Sequence, residues 1–201
     1  NGLRGRLEGA APEIQGDQFE SSEGTRNPGA AFAARLFRAD VGRDAIDRRR
    51  RLNQYVDAEG ASVFADFADL PGQTSLAGTL WNFYRMREQL LKDPDFALYL
   101  IRRGIENSET ADPLVLGAAT PCGPEDVEQM LDTLLDSAFE GSLGDTLTAA
   151  AALARLICSG LSNTPDASAL GSQSLRIAMH WSDLARAFQD AADAERFGGL
   201  H

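Results

Sequence analysis

Lysine is nearly absent from this chain: Lys92 stands alone beside eighteen arginines. Cysteine and histidine are almost as scarce, at two each. The two thiols, Cys122 and Cys158, cannot make the dense staple of a small secreted scaffold, so a reducing compartment is expected, with a single disulfide as the alternative. The two imidazoles, His180 and the terminal His201, leave little material for general acid–base chemistry near neutral pH. Long apolar runs are missing too. The most apolar stretch, Leu147 to Cys158, is alanine-rich and broken by Arg155, well short of the roughly 18 to 20 residues that cross a bilayer. The first residues show no apolar signal-peptide core. Cytoplasmic residence is therefore expected, with export by a specialised secretion system as the alternative.

Strand signals are also lacking, because nowhere do four or more β-branched or aromatic residues alternate between turn signals. Metal-ligand spacings fare no better. There is no Cys-x-x-Cys, no His-Glu-x-x-His and no Glu-x-x-His, since Ile177 stands three residues before His180. The glycines of Gly141 to Asp145 lack the lysine of a phosphate loop and follow a helical pattern rather than a strand. No metal or cofactor is expected.

What is present describes a globular chain. Its 201 residues are 43% apolar and 24% charged, a balance that excludes wholesale disorder and allows roughly 70% of the unfolded surface to be buried. Thirty acids against nineteen bases give a formal charge of -11. That surface disfavours nucleic acid, which needs cations to replace its counterions. The bias toward arginine and alanine points to a GC-rich bacterial genome.

Residues 1–27 carry scattered glycines and charges without a period, and read as a loop or as a segment ordered by a partner. From Asn27 and Pro28 the punctuation becomes helical, so one helical domain is expected over 28–197, followed by a short tail or tag remnant over 198–201. Ala30, Ala33, Ala34 and Phe37 lie at helical spacing. A charged helix follows from Asp44 through Tyr55, and Val63, Phe64 and Phe67 close at a Leu70-Pro71-Gly72 turn. Thr74 or Ser75 caps a helix to about Lys92, and Asp93 with Pro94 starts another carrying Leu98, Ile101 and Ile105 on one face. Asp112 with Pro113 repeats that device for a short helix. Gly123 and Pro124 then open the clearest amphipathic segment, with Val127, Met130, Leu131, Leu134, Leu135, Ala138 and Phe139 at i, i+3, i+4 spacing. Asp145 caps an alanine-rich helix that Gly160 ends, whose small residues permit close helix contact. In the last helix Leu170, Ile177, Trp181, Leu184 and Phe188 form the inward stripe. The fold class is all-α, a bundle of seven or eight amphipathic helices, in one unit or two stacked sub-bundles divided near Ala119 to Gly123.

Arg48, Arg49, Arg50 and Arg51 form the sharpest local feature. Successive residues step about 100° around a helix, so the four cations spread around it rather than lining one face. They read either as a solvated helix paired with Asp40, Asp44, Asp47 and Asp57, or as a docking patch for a protein partner. Trp81, Phe83 and Tyr84 place three aromatics within four residues, more than one face buries. Trp81 and Tyr84 are thus candidate partner contacts, or else they pack against a second helix. His180, Asp183 and Arg186 are the local cluster for a helical enzyme, and Cys158 with His180 would form a thiolate pair if two helices met there.

In outline the Arg48 to Arg51 helix and the Asp93-Pro94-Asp95 opening, with Leu98, Tyr99 and Leu100, resemble the gatekeeper family of bacterial type III secretion. That resemblance spans residues 30–160 and implies a non-enzymatic plug that binds a chaperone through its N-terminal segment and secretion components through its bundles. It transfers no functional residue, because no position matches a diagnostic motif. The functional expectation is a non-enzymatic protein–protein interaction or regulatory protein. An acidic immunity or inhibitor protein acting on a basic enzyme, and a helical enzyme centred on His180, are the alternatives.

Overall fold

A computed structural model describes residues 45–60, 74–112, 115, 121–164, 172–198 and 200. Among these residues there are six helices and no strand: α1 Ala45–Glu59, α2 Leu76–Leu91, α3 Pro94–Glu106, α4 Asp126–Phe139, α5 Leu143–Ser162 and α6 Ser172–Arg196. The all-α class holds, whereas the expected seven or eight helices are not matched. The helix expected from Pro28 lies outside the described residues, as does most of the short one expected from Pro113.

Helix ends follow local chemistry. Ser75 is the N-cap of α2, its Oγ accepting from Gly78 N at 3.1 Å, and Asp93 caps α3 in the same way through Phe96 N at 3.0 Å with Pro94 behind it. Only Lys92 and Asp93 separate α2 from α3. Gly60 closes α1 at φ +83°, donating to Val56 O at 2.7 Å, a left-handed position that favours glycine. Ahead of α4, Asp126 Oδ2 accepts from Gly123 N at 2.9 Å and Cys122 N at 3.2 Å, which folds the breaker around Pro121 and Pro124 into a turn.

Two expected caps have other roles. Asp145 lies in the first turn of α5, behind Ser142 at the N-cap. Asp112 is 6% exposed and receives Arg155 of α5, whose Nε and Nη2 both reach Oδ1 at 2.9 and 2.7 Å, while Thr110 donates to Oδ2 at 2.7 Å. Val115 N donates to Ala111 O, so Asp112 stands inside the turn it is expected to cap, and its carboxylate is held by Arg155.

Helix α5 is the centre of the packing. Its alanines from Ala149 to Ala154, together with Leu147, Leu153, Leu156 and Ile157, are buried on every side, the pattern of a helix enclosed by others. It lies against α6, α3 and α4, and α4 in turn carries α1 and α2. Buried side chains from all six helices form one apolar cluster. Each large member, such as Ile101, Leu153 or Ile157, contributes about 1.5–3 kcal/mol by leaving water. Leu200 is fully buried in the same cluster, so it packs with the body instead of trailing from it.

The small residues of α5 do set its distance from α3, in a specific way. A Cβ at Gly160 would stand 3.0 Å from Leu100 Cα, and one at Gly104 would stand 2.9 Å from Leu156 Cα, each nearer still to the adjoining carbonyl. Gly160 is therefore a crossing residue and not the terminator expected from the sequence; α5 continues to Ser162. Arg103 Nη2 then donates to Asn163 O at 3.0 Å, placing a cation at the negative end of α5.

Candidate functional site: a cleft between helix ends

Four helix ends meet where α2 stops, α3 starts, α5 stops and α6 starts. They leave an open cleft of about 840 Å³, within the size range of ligand and anchor pockets. Leu90 of α2, Ala97 and Leu100 of α3, Leu161 of α5 and Trp181 of α6 form its apolar interior. Phe96 and Ile177 stand on its walls at 46% and 40% exposure. Phe96 is stacked on Tyr99, with ring centroids 6.2 Å apart and planes 17° apart, so the apolar surface continues past the cleft along α3.

Polar groups edge this cavity. Gln89 Nε2 lies 3.3 Å from His180 Nε2, bridging α2 to α6, and the His180 ring meets Trp181 edge-on at 6.1 Å. Ser174, Arg176 and Asp93 complete the polar lining. The arrangement can hold an apolar group and orient it by a few polar contacts.

Ile177 was expected on the inward stripe of α6 and is instead on the cleft wall. Its neighbour Ala178 accepts from Cys158 Sγ at 3.3 Å, which sets this turn of α6 beside the last turns of α5, where the covering helix is about to end at Ser162. One turn later Trp181 is 6% exposed, and Leu184, Ala185 and Phe188 carry the stripe inward. Leu170 lies outside the described residues.

The arginine cluster is dispersed, as its spacing around α1 requires. Arg48 is half-buried, Arg50 pairs with Asp47 at 3.0 Å, and Arg51 is exposed; the side chain of Arg49 lies outside the described ones. Trp81 is half-buried against the core, with Arg85 Cζ 4.9 Å above its ring. Tyr84 is 2% exposed, and its hydroxyl donates to Asn53 Oδ1 of α1 at 2.7 Å. It thus joins α2 to α1 on the inside, whereas Trp81 keeps part of its indole at the surface.

The catalytic alternatives are pulled apart. Asp183 accepts from Arg186 at 3.0 Å on the exposed side of α6, while His180 faces Gln89. Cys158 gives its hydrogen to Ala178 O and not to His180. Burial raises the pKa of its thiol above the usual range, which opposes a thiolate. Cys122 and Cys158 are both free. Among the described residues no three metal-ligating side chains cluster, and no helix is long and apolar enough to cross a membrane.

Sequence reasoning missed Phe96, Tyr99 and Ile177 as a shared surface. A usable signal was present on α3, where Phe96 and Tyr99 stand three residues apart and off the Leu98, Ile101 and Ile105 face. A second apolar pair on an already amphipathic helix marks a second contact. No protein family, curated protein or solved structure matches this chain.

Proposed function

We propose that this chain is a non-enzymatic helical interaction protein that binds another protein through the cleft between the ends of α2, α3, α5 and α6. The supporting observation is the cleft itself: an open apolar cavity whose walls, Phe96 and Ile177, keep 46% and 40% of their surface in water. Large apolar side chains held half-exposed around a concavity are the anchors that dominate protein recognition. A regulatory or secretion-associated role is part of this reading, and its support is the resemblance carried by α1 and the start of α3.

The test is affinity capture followed by titration with the purified partner, using wild type, Ile177→Asp and Arg51→Gln. A saturable complex lost in Ile177→Asp, with Arg51→Gln unaffected, supports the cleft. Retention in Ile177→Asp with loss in Arg51→Gln moves the interface to α1 and overturns the cleft reading. A specific catalysed reaction abolished by His180→Gln overturns the non-enzymatic assignment altogether.

A further inference from the structure

The rim of the cleft narrows the identity of the partner, on the premise that the cleft is a protein-binding site. Its two outer walls carry free charges of opposite sign. Asp93 lines the α3 wall with Asp95 two residues on, and Arg176 lines the α6 wall. All three are exposed, and among the described residues none of them has an ion pair. Asp93 Oδ1 accepts from Phe96 N at 3.0 Å, a cap that brings no cation to the carboxylate. The charges beside them are matched, Glu88 with Lys92 at 3.2 Å and Asp183 with Arg186 at 3.0 Å.

The apolar anchors are divided between the walls in the same way. Phe96, with Tyr99 stacked on it, stands on α3, and Ile177 stands on α6. A small molecule filling about 840 Å³ would cover the interior and leave the outer faces of these three side chains in water. A protein surface covers both, provided that it brings apolar groups to each wall, a cation to the α3 wall and an acid to the α6 wall. This face of the chain itself meets that description. In an isologous pair whose two-fold axis runs along the cleft, each wall lies against the opposite wall of the other copy. Ile177 of one copy then meets Phe96 of the second, and Arg176 meets Asp93 and Asp95, every contact being made twice. We infer that the occupant of the cleft is a second copy of this chain, docked through its own α3 and α6 walls.

Two copies of net charge -11 repel at long range. That field is screened over about 8 Å at 0.15 M salt, whereas the contact pairs form at shorter range. Exposed pairs contribute little each, so the apolar contacts hold the two copies together and the charges decide which walls meet.

The experiment is sedimentation equilibrium of the full chain at about 0.15 M salt, from about 1 µM to about 1 mM protein. It compares wild type with Ile177→Asp, Arg176→Asp and Asp95→Arg, each checked for cooperative thermal unfolding; Asp93 is kept because it caps α3. Wild type is expected to dimerise and Ile177→Asp to stay monomeric. Each substitution enters the interface twice, so Arg176→Asp and Asp95→Arg are each expected to weaken the dimer about tenfold by setting like charges together. An equimolar mixture of these two is expected to regain wild-type affinity, because each copy then meets the charge it lacks, a rescue that damage to the fold would not show. A dimer weakened by both substitutions but not restored on mixing overturns the wall-to-wall pairing. A dimer that Ile177→Asp leaves intact lies elsewhere and overturns the inference, as does a wild type that is monomeric throughout. If that monomer binds a different protein and Ile177→Asp loses it, the cleft remains the protein-binding site; if it takes up only dodecanoate there, that reading fails as well.

Discussion

Adding one methyl group at Gly160 measures how closely α3 and α5 approach. The new Cβ would stand 3.0 Å from Leu100 Cα and closer to its carbonyl group. These atoms belong to the backbone of a packed helix, so they cannot rotate away as a side-chain tip does. One helix has to shift, and overpacking of this kind costs about 1–3 kcal/mol. Alanine returns up to about 1 kcal/mol through its helix propensity. The clash wins, and Gly160→Ala is expected to lose about 1–2 kcal/mol net. Gly104→Ala, facing Leu156 Cα at 2.9 Å, should behave alike. Gly144 in the first turn of α5 is the internal control, because its Cβ would meet Arg196 Cγ at 3.8 Å and Glu195 Cγ at 3.9 Å, ordinary contacts. There propensity acts without a clash, and Gly144→Ala should gain a few tenths to about 1 kcal/mol. Urea midpoints at constant slope read the differences, and each kcal/mol moves Tm by about 2–4 °C in a chain of this size. Equal gains at all three positions would refute the close crossing of α3 and α5.

Other expectations follow from the same packing. Asp112→Ala removes the acceptor of Arg155 and Thr110 and should destabilise by about 1.5 kcal/mol in denaturant titration, near the lower end for bonds to charged groups because Arg155 is partly exposed. Tyr84→Phe loses the 2.7 Å bond to Asn53 and should cost about 1 kcal/mol; an unchanged midpoint would show that the bond adds nothing to the α1–α2 contact. With a thiol reagent at mildly alkaline pH, Cys122 should react at once and Cys158 only slowly, since Cys122 is exposed and burial raises the pKa of Cys158. The unfolded chain then loses the Cys158 proton first, so this thiol's contribution to stability is intact below the ordinary thiol pKa and declines as pH rises toward the folded value. The slope should vanish in Cys158→Ala.

Much of the fold was legible because its signals are local. Ser75, Asp93 and Pro94 announce their helices through bonds made within one turn, and the α4 pattern from Val127 to Phe139 matches its buried face residue for residue. Signals with two meanings were less legible. Gly160 reads as a stop from the sequence because glycine serves helix ends, but close crossing selects the same residue. Asp112 reads as a cap, and Arg155, 43 residues away, claims it. The cleft was least legible of all, since its wall residues Phe96 and Ile177 come from α3 and α6 and its interior is shared by α2, α3, α5 and α6. Only the surplus Phe96 and Tyr99 pair on α3 hinted at it.

The docking cleft is tested most directly through the indole at its base. In a Trp81→Phe variant Trp181 is the remaining tryptophan, and it lines the cleft at 6% exposure. On titration with a binding peptide or partner, its emission is expected to shift and saturate at the midpoint measured independently by calorimetry, with the change lost in Ile177→Asp. Saturable binding that leaves Trp181 emission unchanged, while Trp81 responds in the converse Trp181→Phe variant, would place the interface elsewhere and contradict the account.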